Sequence, residues 1–407
     1  MKIEVEPHVA RFVSAVRARG VEVRAPGALD VGPEVRPERF EAGAVLHAGT
    51  RLRGERTLVR AGASVGAEAP VTLEDAMLGR RVRVRGGSVR EAVLLEGAAL
   101  GSGAHVREGT LLEEYSRGAH CVGLKQTVLM PFATLGSMVN FCDCLLAGGS
   151  GRHDHSEVGS GFVHFNYAPR GPRGDKATPS LFGDVPGGAL LLGARIFLGG
   201  NGGVVGPVEL GYGTVLGAGG TYRRDCPSGV LRIGEPVACG DRDFEPLVYG
   251  TVGRKWRLNV RYVGNLCALK AFYRHVRLPG VTPDDLLERA LIEGALEQIE
   301  AGVAERLRRI EEFGSALERS LSRTKDEAAR LSQEETIAAV ARFLEVMTKP
   351  EHKARIDAAG ESTRRRFLTA WEETRAAGGH LARVGALSSY GREQGREWLQ
   401  AVVNTCR

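Results

Sequence analysis

Aliphatic residues recur every six positions over long stretches of this chain. Leu198, Val204, Leu210 and Leu216 are spaced by six, and Gly199, Gly211 and Gly217 directly follow three of them. The same step runs through Val59, Val65 and Val71, through Leu78 and Val84, through Leu94, Leu100, Val106 and Leu112, and through Leu129, Leu135 and Phe141, with slips of phase between blocks. An α-helix repeats near 3.6 residues and a flat strand at 2, so a sustained period of six fits neither. It fits a solenoid in which each short strand sends one aliphatic side chain inward and the following small residue turns the corner, where glycine tolerates angles that other residues resist. Three such strands make one triangular coil of roughly 18 residues.

Glycine supplies 55 of 407 residues, nearly twice the ordinary share of about 7%. No three-residue glycine period exists, which excludes collagen, and 43% hydrophobic residues argue against general disorder. The glycines crowd residues 41 to 250 and thin out beyond 281, where Ala, Glu, Leu and Arg take over. Three regions are therefore expected: a lead-in over 1–40 with a short helix from His8 to Arg19, a mainly β solenoid over 41–250, and an α-helical region over 251–407. Two polar stretches, 147–157 and 168–180, interrupt the hexads and read as loops leaving the coils, where function concentrates on a rigid scaffold.

In the last region Thr282, Pro283 and Asp284 form an N-cap arrangement, and Leu287, Leu291, Ala295, Ile299 and Val303 are spaced by four. Ser332 with Glu335 reads as a capping box for a helix through Met347 that stops before Pro350. Further helices are expected at 361–376 and 391–403, their apolar stripes packing on each other or on the solenoid, with a protein partner for this tail as the sharper alternative.

The net charge of +6, from 55 basic and 49 acidic residues, is weak evidence for any partner, and only 254–277 mixes bases with aromatics. No nucleic acid is expected. No run of about 18 apolar residues occurs, and the opening MKIEVEPHVARFV lacks an apolar core, so a cytoplasmic location without a membrane span is expected. Seven cysteines without CxxC spacing suggest reduced thiols. Cys142 and Cys144, separated by Asp143, would share one face of a strand.

The run IFLGGNGGVVGPVELGYGTVLGAGGTYRRD, preceded by GSGFVHFNY and DKATPSLFGDV, resembles the C-terminal domain of the bifunctional N-acetylglucosamine-1-phosphate uridyltransferase/glucosamine-1-phosphate acetyltransferase family. It is similar also to UDP-N-acetylglucosamine pyrophosphorylase-like proteins named for that relationship. The likeness is clear over 94–225, weaker over 41–93, and absent beyond about 250. It implies a left-handed parallel β-helix, a homotrimer with sites between neighbouring coils, acetyl-CoA as donor, and an amino-sugar phosphate or nucleotide sugar such as UDP-N-acetylglucosamine as acceptor. The family's nucleotidyltransferase half opens with a glycine-rich motif that nothing here matches, so that activity is not expected. The resemblance places Asn166 and Tyr167 on an acceptor-site pair, Lys176 on the loop lysine that follows, and Arg107 and Lys125 on groups that bind the acceptor phosphate. It places Asn140 on a tyrosine, and Ser137 where the family has its catalytic histidine.

Acyl transfer to an amine needs a general base, which Ser137 alone cannot supply. His155 and His164 lie near Asn166 in sequence. If Phe165 is the inward residue, His164 and Asn166 face outward into the groove between subunits; otherwise His164 is a structural histidine. His153, Asp154 and His155 offer HxH spacing without an evident third ligand, so no metal is expected. Lysine occurs at only eight positions, two of them Lys125 and Lys176. Lys176 with Arg170 and Arg173 would form an anion receptor, and Arg223 and Arg224 could reach the CoA phosphates. Two readings follow. One is an acyl-CoA-dependent acyltransferase acting on a phosphorylated or nucleotide-linked amino sugar. The other is a binding scaffold that kept the acceptor pocket and lost catalysis.

Overall fold

The computed structural model describes residues 6–170, 174–234, 240–241 and 244–406. The hexad blocks form a parallel β-solenoid of about 11 turns, followed by a helical region. Strands of two to four residues wind over three faces in a fixed order. The first face runs from Glu22–Val23 to Leu231–Arg232, the second from Asp30–Val31 to Thr221–Tyr222, and the third from Leu58–Val59 to Glu209–Leu210. Each strand pairs in parallel with the strand one coil on, so inward positions stack: Leu46 on Val65 on Val84, and Leu94 on Leu112 on Leu129. These inward residues are fully buried and form one continuous core. A period of six arises because each side of the triangle contributes one such position before the chain turns.

The corners differ in part from the expectation. Many residues in the left-handed region there are not glycine: Tyr115, Cys121, Gln126, Met138 and Asp143 all have φ between 51 and 57°. Gly199 is small for another reason, since a Cβ there would stand 2.4 Å from the backbone nitrogen of Ala218 on the next coil. Asp143 also corrects the cysteine reading. The chain turns at this residue, so Cys142 ends a second-face strand on its outer side while Cys144 starts a third-face strand and points into the core.

The helices are α1 (Pro7–Ala18), α2 (Val185–Gly188), α3 (Gly253–Phe272), α4 (Leu286–Leu321), α5 (Glu327–Thr348), α6 (Pro350–Ala358), α7 (Glu361–Glu373), α8 (His380–Ala386) and α9 (Ser389–Thr405). Two starts lie elsewhere than expected. Asp285 caps α4, accepting the Glu288 N–H at 3.0 Å, and Asp326 caps α5. Ser332 lies inside α5, where its hydroxyl accepts the backbone N–H of Val252 at 3.1 Å.

The helical tail covers the third face. There the outward residues are apolar too: Leu58, Met77, Val93, Leu111, Val128, Leu145 and Leu181 are buried in a second core with Val263 and Leu266 of α3 and Ile292, Ala295 and Ile299 of α4. Each such side chain, fully buried, contributes about 1.5–3 kcal/mol. Approach is close: a Cβ on Gly294 would stand 2.2 Å from the Met77 sulfur. Ion pairs fix both ends of the contact. Arg60, with no exposed surface, holds Glu41 at 2.5 Å and Asp285 and Glu288 at 2.9 Å, and Arg306 of α4 holds Asp143. No helix among the described residues is long and apolar enough to cross a membrane.

Candidate functional site

The outer side of the second face carries the residues expected to bind an acceptor phosphate. Pairing sets Lys125 beside Cys142, and Arg107 follows one coil earlier, its N–H bonded to Leu124 O at 2.9 Å. Lys125 Nζ lies 2.5 Å from Glu108, which also lies 3.8 Å from Arg90. Arg107 reaches toward the Cys142 sulfur at 3.9 Å, and that thiol donates to Asn140 Oδ1 at 3.2 Å. Burial first, and then the charge of Asp143, push the Cys142 thiol above its ordinary value, so it stays protonated and is no nucleophile.

At the corner between the second and third faces, Asn166 donates its amide to Asp143 Oδ2. The other carboxylate oxygen, Oδ1, accepts from Arg306 at 2.6 Å. The loop beyond returns on itself: Ala168 and Asp175 exchange backbone hydrogen bonds of 3.0 and 2.9 Å. That register sets exposed Tyr167 opposite exposed Lys176 at the mouth of the loop. The far strand of the loop is tied to the tail, since Lys255 pairs with Asp175 and Asn259 donates to Ala177 O at 3.0 Å. Arg107 and Lys125 thus stand on adjacent coils at one end of the second-face strands and Asn140 at the other, while Asn166, Tyr167 and Lys176 follow the next strand beyond Cys142. Arg173 falls outside the described residues.

His164 does not face this surface. It occupies the inward row of the second face, between Phe141 and Val204, and is 2% exposed, while Phe165 is 46% exposed. Its Nδ1 lies 2.8 Å from Cys142 O, and its Nε2 lies 2.7 Å from Ser180 Oγ, which also accepts the Val208 N–H at 2.9 Å. The carbonyl can only accept, so Nδ1 carries the proton and Nε2 accepts from Ser180. Burial drives the ring's pKa down to about 4. His164 is therefore a neutral, fully bonded core residue and has no lone pair to offer an acceptor.

His155 lies on a hairpin (Gly149–Gly151 with Asp154–His155) between the third and first faces, 3.9 Å from Glu157, and is not brought to the Asn166 corner. Arg223 and Arg224 are exposed just after the last second-face strand, two strands beyond Phe165, with Arg223 donating to Thr221 O at 3.4 Å. Among the described residues, no group of three or more metal-ligating side chains is placed to hold an ion.

Two contributors escape sequence reasoning. Arg306 lies 163 positions from Asp143, and nothing local in α4 marks it out. His120 is the other. It sits on the corner between the first and second faces, one coil before Ser137, and its Nδ1 lies 2.9 Å from Ser137 Oγ. Ser137 N–H in turn donates to Ser160 Oγ at 3.1 Å on the coil after. The signal was present as spacing, because 17 residues separate His120 from Ser137, as they do Gly118 from Leu135.

No family model matches the chain. Among curated proteins, it is 28% identical over 215 residues to the bifunctional protein GlmU of Oleidesulfovibrio alaskensis, covering 53% of this chain and 41% of that protein. It is 28% identical over 225 residues to GlmU of Sorangium cellulosum, covering 55% and 41%. The matches thus span less than half of those relatives. Among solved structures, the UDP-N-acetylglucosamine acyltransferase of Campylobacter jejuni is 12% identical, covering 53% of this chain and 70% of that one, with a TM-score of 0.22. LpxA of Acinetobacter baumannii is 11% identical, covering 69% and 95%, also with a TM-score of 0.22. A perosamine N-acetyltransferase mutant of Caulobacter crescentus, in complex with CoA and GDP-perosamine, is 18% identical, covering 58% and 67%, with a TM-score of 0.10. The solenoid half of this chain is a hexapeptide-repeat structure that resembles the acetyltransferase domain of GlmU.

Proposed function

We propose that the protein is an acyl-CoA-dependent acyltransferase acting on a phosphorylated or nucleotide-linked amino sugar. One observation carries this reading. Arg107 and Lys125 stand on adjacent coils of the second face, and Asn166, Tyr167 and Lys176 follow its strand two coils beyond Lys125, although up to 69 residues separate them in sequence. In this reading Arg107 and Lys125 hold the acceptor's phosphate, and Asn166 and Tyr167 orient its sugar. Arg223 and Arg224 meet the phosphates of the donor, acetyl-CoA. A neighbouring subunit of a homotrimer completes the site, in the cytoplasm.

His120 is the base in this scheme: within one chain it stands at the opposite end of the second face from Asn166, so the base of one subunit serves the acceptor held by its neighbour. With Nδ1–H donating to Ser137 Oγ, the exposed Nε2 keeps its lone pair at the corner where the resembling family carries its catalytic histidine. The acceptor's neutral amine attacks the thioester carbonyl, forming the C–N bond. Nε2 takes the amine proton, the C–S bond breaks, and the proton passes to the departing thiolate.

Binding without catalysis is the second reading. It is favoured by Ser137 and Asn140, which stand where the resembling family carries its catalytic histidine and a tyrosine. Calorimetry with acetyl-CoA and with UDP-N-acetylglucosamine, followed by thiol-release assays on amino-sugar phosphates, separates the two. Acceptor-dependent thiol release, lost in His120→Gln, supports transfer. Sugar-nucleotide binding with no binding of CoA establishes the scaffold instead, and a monomeric mass by light scattering removes any intersubunit site.

A further inference from the structure

Where α4, α7 and α8 close over the corner between the third and first faces, a cavity of about 420 Å³ remains, within the range of roughly 300–1,000 Å³ usual for small-molecule sites. Leu95, Val276, Leu291 and Ile292 give it an apolar wall, each at most 2% exposed. Glu96, Glu114, Asp285 and Glu288 line it as well. It lies at a different corner from Asn166, and much of its wall is helical tail, which the family resemblance does not reach.

The carboxylates outnumber their partners. Arg81 holds Glu96 and Arg277 holds Glu114 at 2.5 Å, but two guanidiniums, those of Arg60 and Arg80, are shared among Glu41, Asp285 and Glu288. The other basic groups on the wall do not redress this. Arg383 lies 4.1 Å over the Trp371 ring and 4.0 Å from Glu372, and its Nη2 donates to Trp371 O at 2.7 Å. Burial holds His380 well below the ordinary histidine value, so its ring is neutral. Burial also raises the Glu288 carboxyl; Arg60 and Arg277 pull it down, and Asp285 and Glu114 push it up again. Glu114 itself is 5% exposed, and while one carboxylate oxygen accepts from Arg277, the other, Oε2, has no hydrogen-bond partner.

An unspent carboxylate oxygen at the wall of a cavity is satisfied by a donor that enters it, and surplus negative charge favours a donor that is a cation. Among the described residues no three metal-ligating side chains converge on an ion, and a bare metal would leave the apolar wall uncovered. We propose that this cavity binds a small organic cation, a primary ammonium on an apolar body, with Glu114 and Glu288 receiving the ammonium and Leu95, Val276, Leu291 and Ile292 enclosing the body. Such a ligand touches helix and coil together, so its binding clamps the tail onto the solenoid. The inference does not rest on acyl transfer, because it is read by binding alone.

The test uses the full chain, with n-hexylammonium as probe and 1-hexanol as its uncharged counterpart, read by calorimetry and by the thermal midpoint. The ammonium is expected to bind about tenfold more tightly than the alcohol and to raise the midpoint. Glu114→Gln keeps the shape, removes the charge and is expected to weaken the ammonium about tenfold. That change also leaves Arg277 short of its partner, so a second variant spares the buried pair. Gly379 lines the cavity on extended, exposed backbone, and a Cβ there meets nothing within 4 Å. Gly379→Leu therefore takes up cavity space without strain, and is expected to weaken binding about tenfold while the midpoint of the free protein stays unchanged. Tyr167→Ala, at the proposed acceptor corner, is expected to bind as the wild type does. No binding of the ammonium, equal affinity for the alcohol, full affinity in Gly379→Leu, or affinity lost in Tyr167→Ala would each overturn the proposal. Ammonium binding in a protein that never releases thiol would sink the transferase reading and leave this one standing.

Discussion

Arg306 of α4 and Asp143 at a solenoid corner form an ion pair of 2.6 Å in which the side chains are only 2% and 7% exposed. The pair couples the helical tail to the acceptor surface, because the second Asp143 oxygen holds Asn166. Removing one partner leaves a buried charge alone, which costs about 3–5 kcal/mol. Arg306→Met is therefore expected to lower the denaturation midpoint strongly, and Arg306→Met with Asp143→Asn to recover part of the loss. A double-mutant cycle in urea measures the coupling; additive losses would show that the pair does no such work.

Stability depends on pH through two buried groups with opposite slopes. Burial, and then the adjacent Glu114, raise Glu113 from its usual 4.5 to about 7. Between these values the folded chain keeps a proton that the unfolded chain has lost, so this contribution to stability falls as pH rises through the window. His164 acts the other way. Its folded value of about 4 lies below the usual 6.5, so the unfolded chain takes up the proton first and stability falls as pH drops from 6.5 toward 4. Glu113→Gln, which still accepts from Tyr273 Oη, removes the first slope alone. Its stability is expected to climb more steeply from pH 5 to 6.5 than the wild type's, and to exceed it above pH 7, as read from urea midpoints. Parallel curves for the two proteins would refute the assignment.

The third face is predicted to be intolerant of charge. Leu145 is fully buried between solenoid and tail, and a carboxylate there loses its hydration without a partner. Leu145→Glu should release the helices, seen as rapid proteolysis beyond residue 250 and binding of a hydrophobic dye. Leu231→Glu, at a 60% exposed outward position of the first face, serves as the tolerated control.

If the transferase reading holds, Lys125 and His120 divide the kinetics. Lys125→Met removes a phosphate contact present in both ground and transition states, and is expected to raise the acceptor KM about tenfold with kcat unchanged. His120→Gln removes the proton acceptor and is expected to lower kcat about 10²–10⁴-fold with KM little changed. Steady-state kinetics against acceptor concentration distinguish them, and equal effects on both parameters in both variants would argue for a merely structural surface.

Much of the solenoid was legible because its physics is local and repeated. Every inward residue of the Leu94 and Leu198 blocks sits where a period of six puts it. The same period, extended from Val158, lands on His164 six positions later, so the ladder already favoured an inward ring over an outward one. The outward reading failed because alternation alone cannot say which of Phe165 and His164 keeps phase with the coil below. The outer row of the third face was legible in the same way, as doublets such as Val93–Leu94, Leu111–Leu112 and Leu145–Leu146, where a solvent-facing strand would alternate apolar with polar. What remained hidden is long-range: which guanidinium of an Arg-rich helix meets Asp143 depends on how a 36-residue helix lies across the coils, and no local pattern encodes that angle.

A bare stack of coils is held only by nearest neighbours, and such stacks fray coil by coil. Here α4 grips Arg60 with Asp285 and Asp143 with Arg306, anchor points separated by five strand spacings of the third face. It lies along the solenoid as a splint. A middle coil cannot loosen without prising the helix from both anchors, so hydrogen exchange across these coils should proceed as one cooperative block, with faster opening confined to the coils beyond the reach of the helix.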